Sequence, residues 1–172
     1  MNETLKTLTT RRSVRSYKYE EVPKEIIEKI LQAGLYAPTG RNSRDTLFVV
    51  ITNKETRDKI ASLNANVMGM DKDPFYGAPC VIVVFADRTK LTYLEDGSLA
   101  MGNLMNAAFS LGVDSCWIHR AKEVFESEEG RKMARAWGVP DDYIGIGNCI
   151  LGYGDCELPK PLERTQPVIF AD

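Results

Sequence analysis

The stretch SLAMGNLMNAAFSLGV, Ser98 to Val113, contains no charged residue. Its length and composition fit a helix, and a helix that is apolar all round must be covered all round, by its own domain or by a second subunit. Ala100, Gly102, Ala107 and Ala108 leave room for another helix to come close. Two compatible readings follow: a central core helix, and a core helix that also builds a homodimer interface. In both, the rest of the chain has to be arranged around this segment.

The surrounding sequence supplies helices and strands in mixed order. PKEIIEKILQAGLYAP sets Ile26, Ile27, Ile30, Leu31 and Leu35 at helical spacing, with Pro23 suited to the first turn. TLFVVITN is a short β-rich run, and KETRDKIASLN after it reads as a surface helix. APCVIVVFAD is continuously apolar, as a strand buried on both faces should be. DSCWI reads as a strand, AKEVFESEEGRKMARAWG as a charged helical stretch, and YIGIGNCILGYG as another buried strand. The tail, DCELPKPLERTQPVIFAD, is proline-rich, ends in a β-like PVIF and has little to pack on locally, so it is expected to extend across a neighbour. Strict βαβ alternation is absent. No repeat or linker divides the chain, and residues 1–172 read as a single domain.

Charge and motifs narrow the function. With 22 Lys+Arg against 24 Asp+Glu the chain lacks the broad basic face that nucleic acid calls for. No apolar run approaches a membrane span and the first residues, MNETLKTLTTRR, lack a secretory core, so a cytoplasmic protein is expected. Cys80, Cys116, Cys149 and Cys156 form no C-x-x-C pair, and Cys80 and Cys149 lie in apolar runs where a thiol packs as a small hydrophobe. His119 is the only histidine, so no histidine-based metal site is expected. GIGNCI and GYGDCE begin like a dinucleotide fingerprint but supply no third glycine. P-loop, H-E-x-x-H and G-x-S-x-G patterns are absent.

RRSVRSY, Arg11 to Tyr17, is the conspicuous polar block. Guanidinium groups present a planar fork that matches phosphate oxygens, and Ser13 adds a hydroxyl donor. In an extended segment Arg11, Ser13 and Arg15 point to one side and can converge on one ligand. Charge alone leaves open a solvated cluster feeding surface salt bridges. APTGRNSRD, Ala37 to Asp45, follows an amphipathic helix and offers Thr39, Asn42 and Ser43 beside Pro38 and Gly40. It reads either as a functional loop or as a plain helix stop and turn.

Together these blocks resemble the FMN-dependent nitroreductases, specifically their short members. RRSVRSY is similar to the family's R-x-S-x-[RK] block and APTGRN to its A-P-[ST]-x-x-N loop. APCVIVVFAD, DGSLAMGNLMNAAFSLGVDSCWI and IGIGNCILGYGDCELPKP resemble its central strand, its dimer helix with the flavin-facing strand, and its last core strand with the tail. The resemblance implies an α+β fold, a three-layer α/β/α sandwich with a mixed central sheet flanked by helices and a C-terminal tail reaching onto the partner subunit. It implies a homodimer with FMN at the interface and ping-pong electron transfer from NAD(P)H to nitroaromatic, quinone or related acceptors. By the same resemblance Arg11 and Ser13 hold the FMN phosphate, with Arg12 beside them and Arg15 at the pyrimidine edge. Pro38, Thr39 and Asn42 reach the flavin from the partner, Ile118 and His119 offer main-chain atoms to the ring, and Lys160 and Arg164 close on the phosphate.

The hydride chemistry belongs to such a cofactor, so no catalytic triad is required. His119 is the one candidate proton donor, against a histidine that only caps a strand end. The chain departs from the family where many members continue as N-x-Q-P-W: here the residues are Asn42-Ser43-Arg44-Asp45-Thr46. It is also short for the helical insertion that covers the site in larger members. A non-catalytic flavin-binding redox sensor, and a same-fold enzyme for reductive dehalogenation or flavin breakdown, are the alternatives.

Overall fold

A computed structural model of the chain describes residues 1–171. Four strands, β1 (Thr46–Ile51), β2 (Cys80–Asp87), β3 (Asp114–Ile118) and β4 (Tyr143–Gly152), form one sheet in the order β1-β2-β4-β3. Every ladder between them is antiparallel. The parallel element comes from the arginine-rich segment, where Ser13 bridges Ser115 beside β3. Val14 N–H donates to Ser115 O (3.1 Å) and Lys18 N–H to Tyr153 O (2.8 Å), so this segment lines that edge.

β2 carries the alternation that divides the core in two. Val81, Val83 and Phe85 meet residues of α3 (Lys54–Met68), α5 (Ala121–Glu126) and α6 (Glu128–Ala136). Cys80, Ile82, Val84 and Ala86 meet α2 (Lys24–Leu35) and α4 (Tyr93–Ser110). These β2 side chains are 0–1% exposed, as expected for a strand covered on both faces. Each fully buried Val, Ile or Phe contributes about 1.5–3 kcal/mol. The result is the three-layer α/β/α sandwich. Among the described residues no helix is long and apolar enough to cross a membrane.

α4 takes in the uncharged segment only as far as Ser110, with Leu111 as its cap, and extends it toward the N-terminus to Tyr93. Met101, Leu104 and Ala108 are buried by this chain, whereas Leu94 and Leu99 are 52% and 48% exposed. One side of the helix is therefore left uncovered.

Several local expectations change. An additional helix, α1 (Glu3–Thr10), precedes the arginines; Asn2 caps it and it buries no residue. Pro23 is the cap of α2 rather than a residue of its first turn, and Leu35 is 65% exposed. α3 is not merely a surface helix, because it buries Arg57, Ile60, Ala61 and Asn64. The AKEVFESEEGRKMARAWG stretch breaks at Ser127, whose hydroxyl caps α6. There Gly130 packs on Val124 O so closely that a Cβ would come within 1.9 Å. The tail from Asp155 to Ala171 is exposed and PVIF forms no strand, since nothing among the described residues lies beside it to pair with. Cys80, Cys116 and Cys149 are buried free thiols and Cys156 is exposed. Burial pushes the Cys80 thiol up to about 12.

Candidate functional site

The arginine segment leaves α1 at Arg11, whose backbone turns extended (φ −53°, ψ 138°). Its guanidinium makes no hydrogen bond or ion pair among the described residues, and Nη1 is shut off from solvent without a partner. Arg11 reaches the α4 side of the sheet: burial pushes the Cys149 thiol up, and the Arg11 charge acts against that rise. Arg12 behaves differently. Its Nη1 donates to Thr9 O (3.0 Å) and Arg11 O (2.7 Å), closing the end of α1. Ser13 is half-buried with a free hydroxyl, Val14 is buried, and Arg15 is exposed with no partner among the described residues. The side-chain alternation expected of an extended segment is present.

Two further donors on the same face of β3 have no acceptor, Ser115 Oγ and Trp117 Nε1. Trp117 pairs with Cys149 across the ladder. Its indole lies over Gly147, where a Cβ would come within 2.3 Å of Nε1. Three unpartnered donors in one region, Arg11 Nη1, Ser115 Oγ and Trp117 Nε1, are unusual in a packed interior, where polar groups normally find partners.

At the end of β3 the Ile118 side chain is buried, and its carbonyl accepts from Asn148 Nδ2 at 3.5 Å. Asn148 also donates to Asn64 Oδ1 (3.2 Å), and both asparagines are fully buried. His119 is exposed, with Nδ1 accepting the Arg120 backbone N–H at 2.8 Å. Arg120 occupies the left-handed region (φ 77°) and ties its guanidinium to Glu123 (2.7 Å).

The 37–45 loop is built from within. Asn42 N–H donates to Thr39 O (3.0 Å), Ser43 N–H to Gly40 O (3.1 Å) and Arg44 N–H to Thr39 Oγ1 (3.2 Å). Arg41, Asn42 and Arg44 all have positive φ, between 51° and 55°, which L-residues rarely adopt. Asp45 and Asp96 are each 2% exposed and lie beneath the loop. Ser43 Oγ donates to Asp45 Oδ1 (2.9 Å), and Asp96 accepts Gly40 N–H and Thr92 Oγ1–H, both at 2.8 Å. Arg44 makes no ion pair with Asp45; its Nε lies 3.5 Å from Asn42 Oδ1. Pro38, Thr39, Asn42 and Arg44 line an open cleft of about 570 Å³.

The expected site residues therefore fall into separate groups. Arg11, Ser13 and Arg15 lie beside β3, and Ile118 and His119 at its end. Pro38, Thr39 and Asn42 precede β1, the opposite edge strand. With strands about 4.8 Å apart, the two edges stand about 14 Å from each other. Lys160 and Arg164 are exposed in the tail and are not brought to Arg11 in this chain.

The model of the Nitroreductase family matches residues 8–72 and 66–154, which takes in both edges and the sheet between them. The chain belongs to the nitroreductase family. A Methanothermobacter thermautotrophicus protein provisionally named NADH dehydrogenase/NAD(P)H nitroreductase is 33% identical over 155 residues, 88% of this chain and 77% of that protein. A Bacteroides fragilis nitroreductase crystallised with bound FMN superposes with a TM-score of 0.90 at 27% identity, over 100% of both chains. A Desulfitobacterium hafniense nitroreductase, also with bound FMN, gives 0.89 at 27% identity over 100% of both.

Sequence reasoning passed over several residues of this candidate site. Asp96 stands just ahead of the uncharged run and contacts Gly40 across 56 positions, so no local pattern announces it. Ser115 and Trp117 lie in the strand that the resemblance set facing a flavin, but neither was named as a site residue, and an unpartnered donor is invisible until the packing around it is known. Arg120 carries no signal in the sequence, and its positive φ appears only in the structure.

Proposed function

We propose that this protein is an FMN-dependent NAD(P)H oxidoreductase of the nitroreductase type, a cytoplasmic homodimer in which residues 1–172 act as one domain. The observation that carries the reading is the Arg11 guanidinium, partly closed off from water with no counter-ion among the described residues. A desolvated cation is costly unless paired, and the free Ser13 hydroxyl and unpartnered Arg15 stand in the same segment. That donor set fits a phosphate-bearing anion. Arg11 and Ser13 would hold the FMN phosphate, while Arg12, occupied at the end of α1, would contribute only its charge. Lys160 and Arg164 would join them from the tail.

Once bound, FMN supplies the two-electron chemistry between NAD(P)H and a nitroaromatic, quinone or related acceptor. Arg15 would set a fixed positive charge at the pyrimidine edge, where negative charge gathers on reduction. Main-chain atoms of Ile118 and His119 would orient the ring, and the exposed His119 imidazole would be the candidate proton donor. Pro38, Thr39 and Asn42, on the opposite edge, would reach the site from a second copy. The uncovered side of α4, Leu5 and Leu8 on α1, and Val168, Ile169 and Phe170 in the tail offer the apolar surface such a dimer needs.

The test is the visible spectrum of the FMN-loaded protein with anaerobic NADH or NADPH, alongside sedimentation. Bleaching that reverses with a nitroaromatic or quinone, in a dimer, is expected. A protein that cannot be loaded with FMN, or a stable flavin-loaded monomer, overturns the reading.

A further inference from the structure

We infer that Asp96 is a positioning residue of the flavin site: from the first turn of α4 its buried carboxylate holds Gly40, and so presents Thr39 and Asn42 in the shape that meets the cofactor. The inference rests on the FMN reading above and adds a residue that touches neither cofactor nor substrate.

The loop cannot be held by local preference. Three of its residues, Arg41, Asn42 and Arg44, occupy the left-handed region without being glycine, and such conformations persist only where the surroundings over-determine them. Its own bonds, Asn42 to Thr39 and Ser43 to Gly40, shape the turn but do not attach it to the molecule. Attachment comes from a main-chain bond at Asp45 and from the buried carboxylate of Asp96. Asp45 leads into β1, and its main-chain carbonyl accepts Asp87 N–H at 3.0 Å. Asp96 reaches over from α4, accepting Gly40 N–H at 2.8 Å in a charge-assisted bond, with Thr92 Oγ1 also donating at 2.8 Å. Ser43 Oγ stands between them, 2.9 Å from Asp45 Oδ1 and 3.5 Å from Asp96 Oδ2. A hydroxyl has one proton to donate, and the shorter distance assigns it to Asp45. The firm link between loop and helix is thus Gly40 to Asp96.

Gly40 is matched to that link. A Cβ there would meet Thr92 Oγ1 at 2.1 Å and Thr92 Cβ and Cγ2 at 3.0 Å. The backbone lies against the start of α4 more closely than a side chain permits, which is what a direct N–H to carboxylate bond requires. Among the described residues no Lys or Arg pairs with Asp96. Its partners are the loop and Thr92, so its charge is directed to the loop.

The experiment uses the full chain with Asp96→Ala and Asp96→Asn, the amide keeping an acceptor for Gly40 N–H. The first readout needs no flavin: trypsin cleavage after Arg41 and Arg44, with cleavage after Arg164 in the exposed tail as the internal standard. Losing one charge-assisted bond should raise cleavage in the loop, and weaken FMN binding, by about tenfold in Asp96→Ala. Asp96→Asn should recover most of both, and tail cleavage should be unchanged. Loop cleavage and FMN binding in Asp96→Ala equal to the parent's overturn the inference. Should Asp96→Ala fail to fold, hydrogen exchange at the Gly40 amide of the unmodified protein decides: strong protection supports the bond, and exchange at the rate of an open amide overturns it. A parent that takes up no FMN instead overturns the flavin reading, and the positioning role falls with it.

Discussion

The arginine segment and the 37–45 loop stand at opposite edges of one sheet and are built on opposite plans. In the loop most bonds are already made: Asn42, Ser43 and Arg44 N–H are paired within it, Ser43 Oγ reaches Asp45, and Gly40 N–H is held by Asp96 of α4, although Asp45 Oδ2 is left over. Around the arginines the donors outnumber the acceptors, with Arg11 Nη1, Ser115 Oγ and Trp117 Nε1 all unpartnered. A region rich in unpaired donors awaits an anion, whereas a region already bonded in a strained shape presents a surface. The first should govern how tightly a phosphate-bearing ligand is held, and the second how well a preformed shape meets it.

The comparison breaks most visibly at Arg11. If its free guanidinium is the phosphate anchor, Arg11→Ala should weaken FMN binding by about 100-fold, the loss of roughly two charge-assisted bonds. Fluorescence titration measures this, and Arg12→Ala serves as the contrast because its Nη1 is spent on Thr9 and Arg11 carbonyls. Arg12→Ala should cost less in affinity and more in the stability of α1. Equal losses at the two positions would remove the distinction drawn here.

At the other edge the sensitive position is Gly40. Gly40→Ala forces a Cβ toward Thr92, and overpacking of this kind costs about 1–3 kcal/mol, or a fall in Tm of about 3–10 °C. Adding Thr92→Ala should return part of that loss by removing Oγ1 and Cγ2, despite the lost bond to Asp96. A thermal melt in which the double variant is no better than the single would show that the close approach is not the cause.

Arg15 tests the arginine edge without touching the fold. It is exposed and unpartnered, so Arg15→Ala should leave the melting curve in place. The midpoint potential of the bound flavin should fall by about 30 mV, the two-electron equivalent of about 1.4 kcal/mol. An unchanged potential removes Arg15 from the pyrimidine edge.

These contrasts also mark how far the sequence could be read. The uncharged run at 98–113 and the continuous β2 pattern required a buried helix and a doubly covered strand, because apolar surface leaves few choices. α1 escaped notice because Leu5 and Leu8, at 50% and 54% exposed, make no stripe that faces this chain's core. Arg11 and Arg12 are chemically identical in sequence, and only the direction in which α1 ends tells which one is free. Asp96 could not be assigned from its neighbours, since its role depends on a loop that the fold returns to the start of α4. Long-range polar contacts of this kind have no periodicity to betray them.

The smallest effect lies in the loop's backbone. Arg44 holds φ 51° with no ion pair among the described residues and only a 3.5 Å contact to Asn42, so its side chain does little to stabilise the turn. Glycine adopts this conformation without steric cost but loses more entropy on folding. The two terms oppose each other, and Arg44→Gly should shift stability by no more than about 0.5 kcal/mol in either direction. Lys29→Gly, at an exposed position inside α2, has only the unfavourable term and should cost about 1 kcal/mol. Denaturant melts of the two variants compare them directly. A loss at Arg44 as large as that at Lys29 would mean that the left-handed backbone carries no strain for glycine to relieve, and that the loop holds its shape without being forced into it.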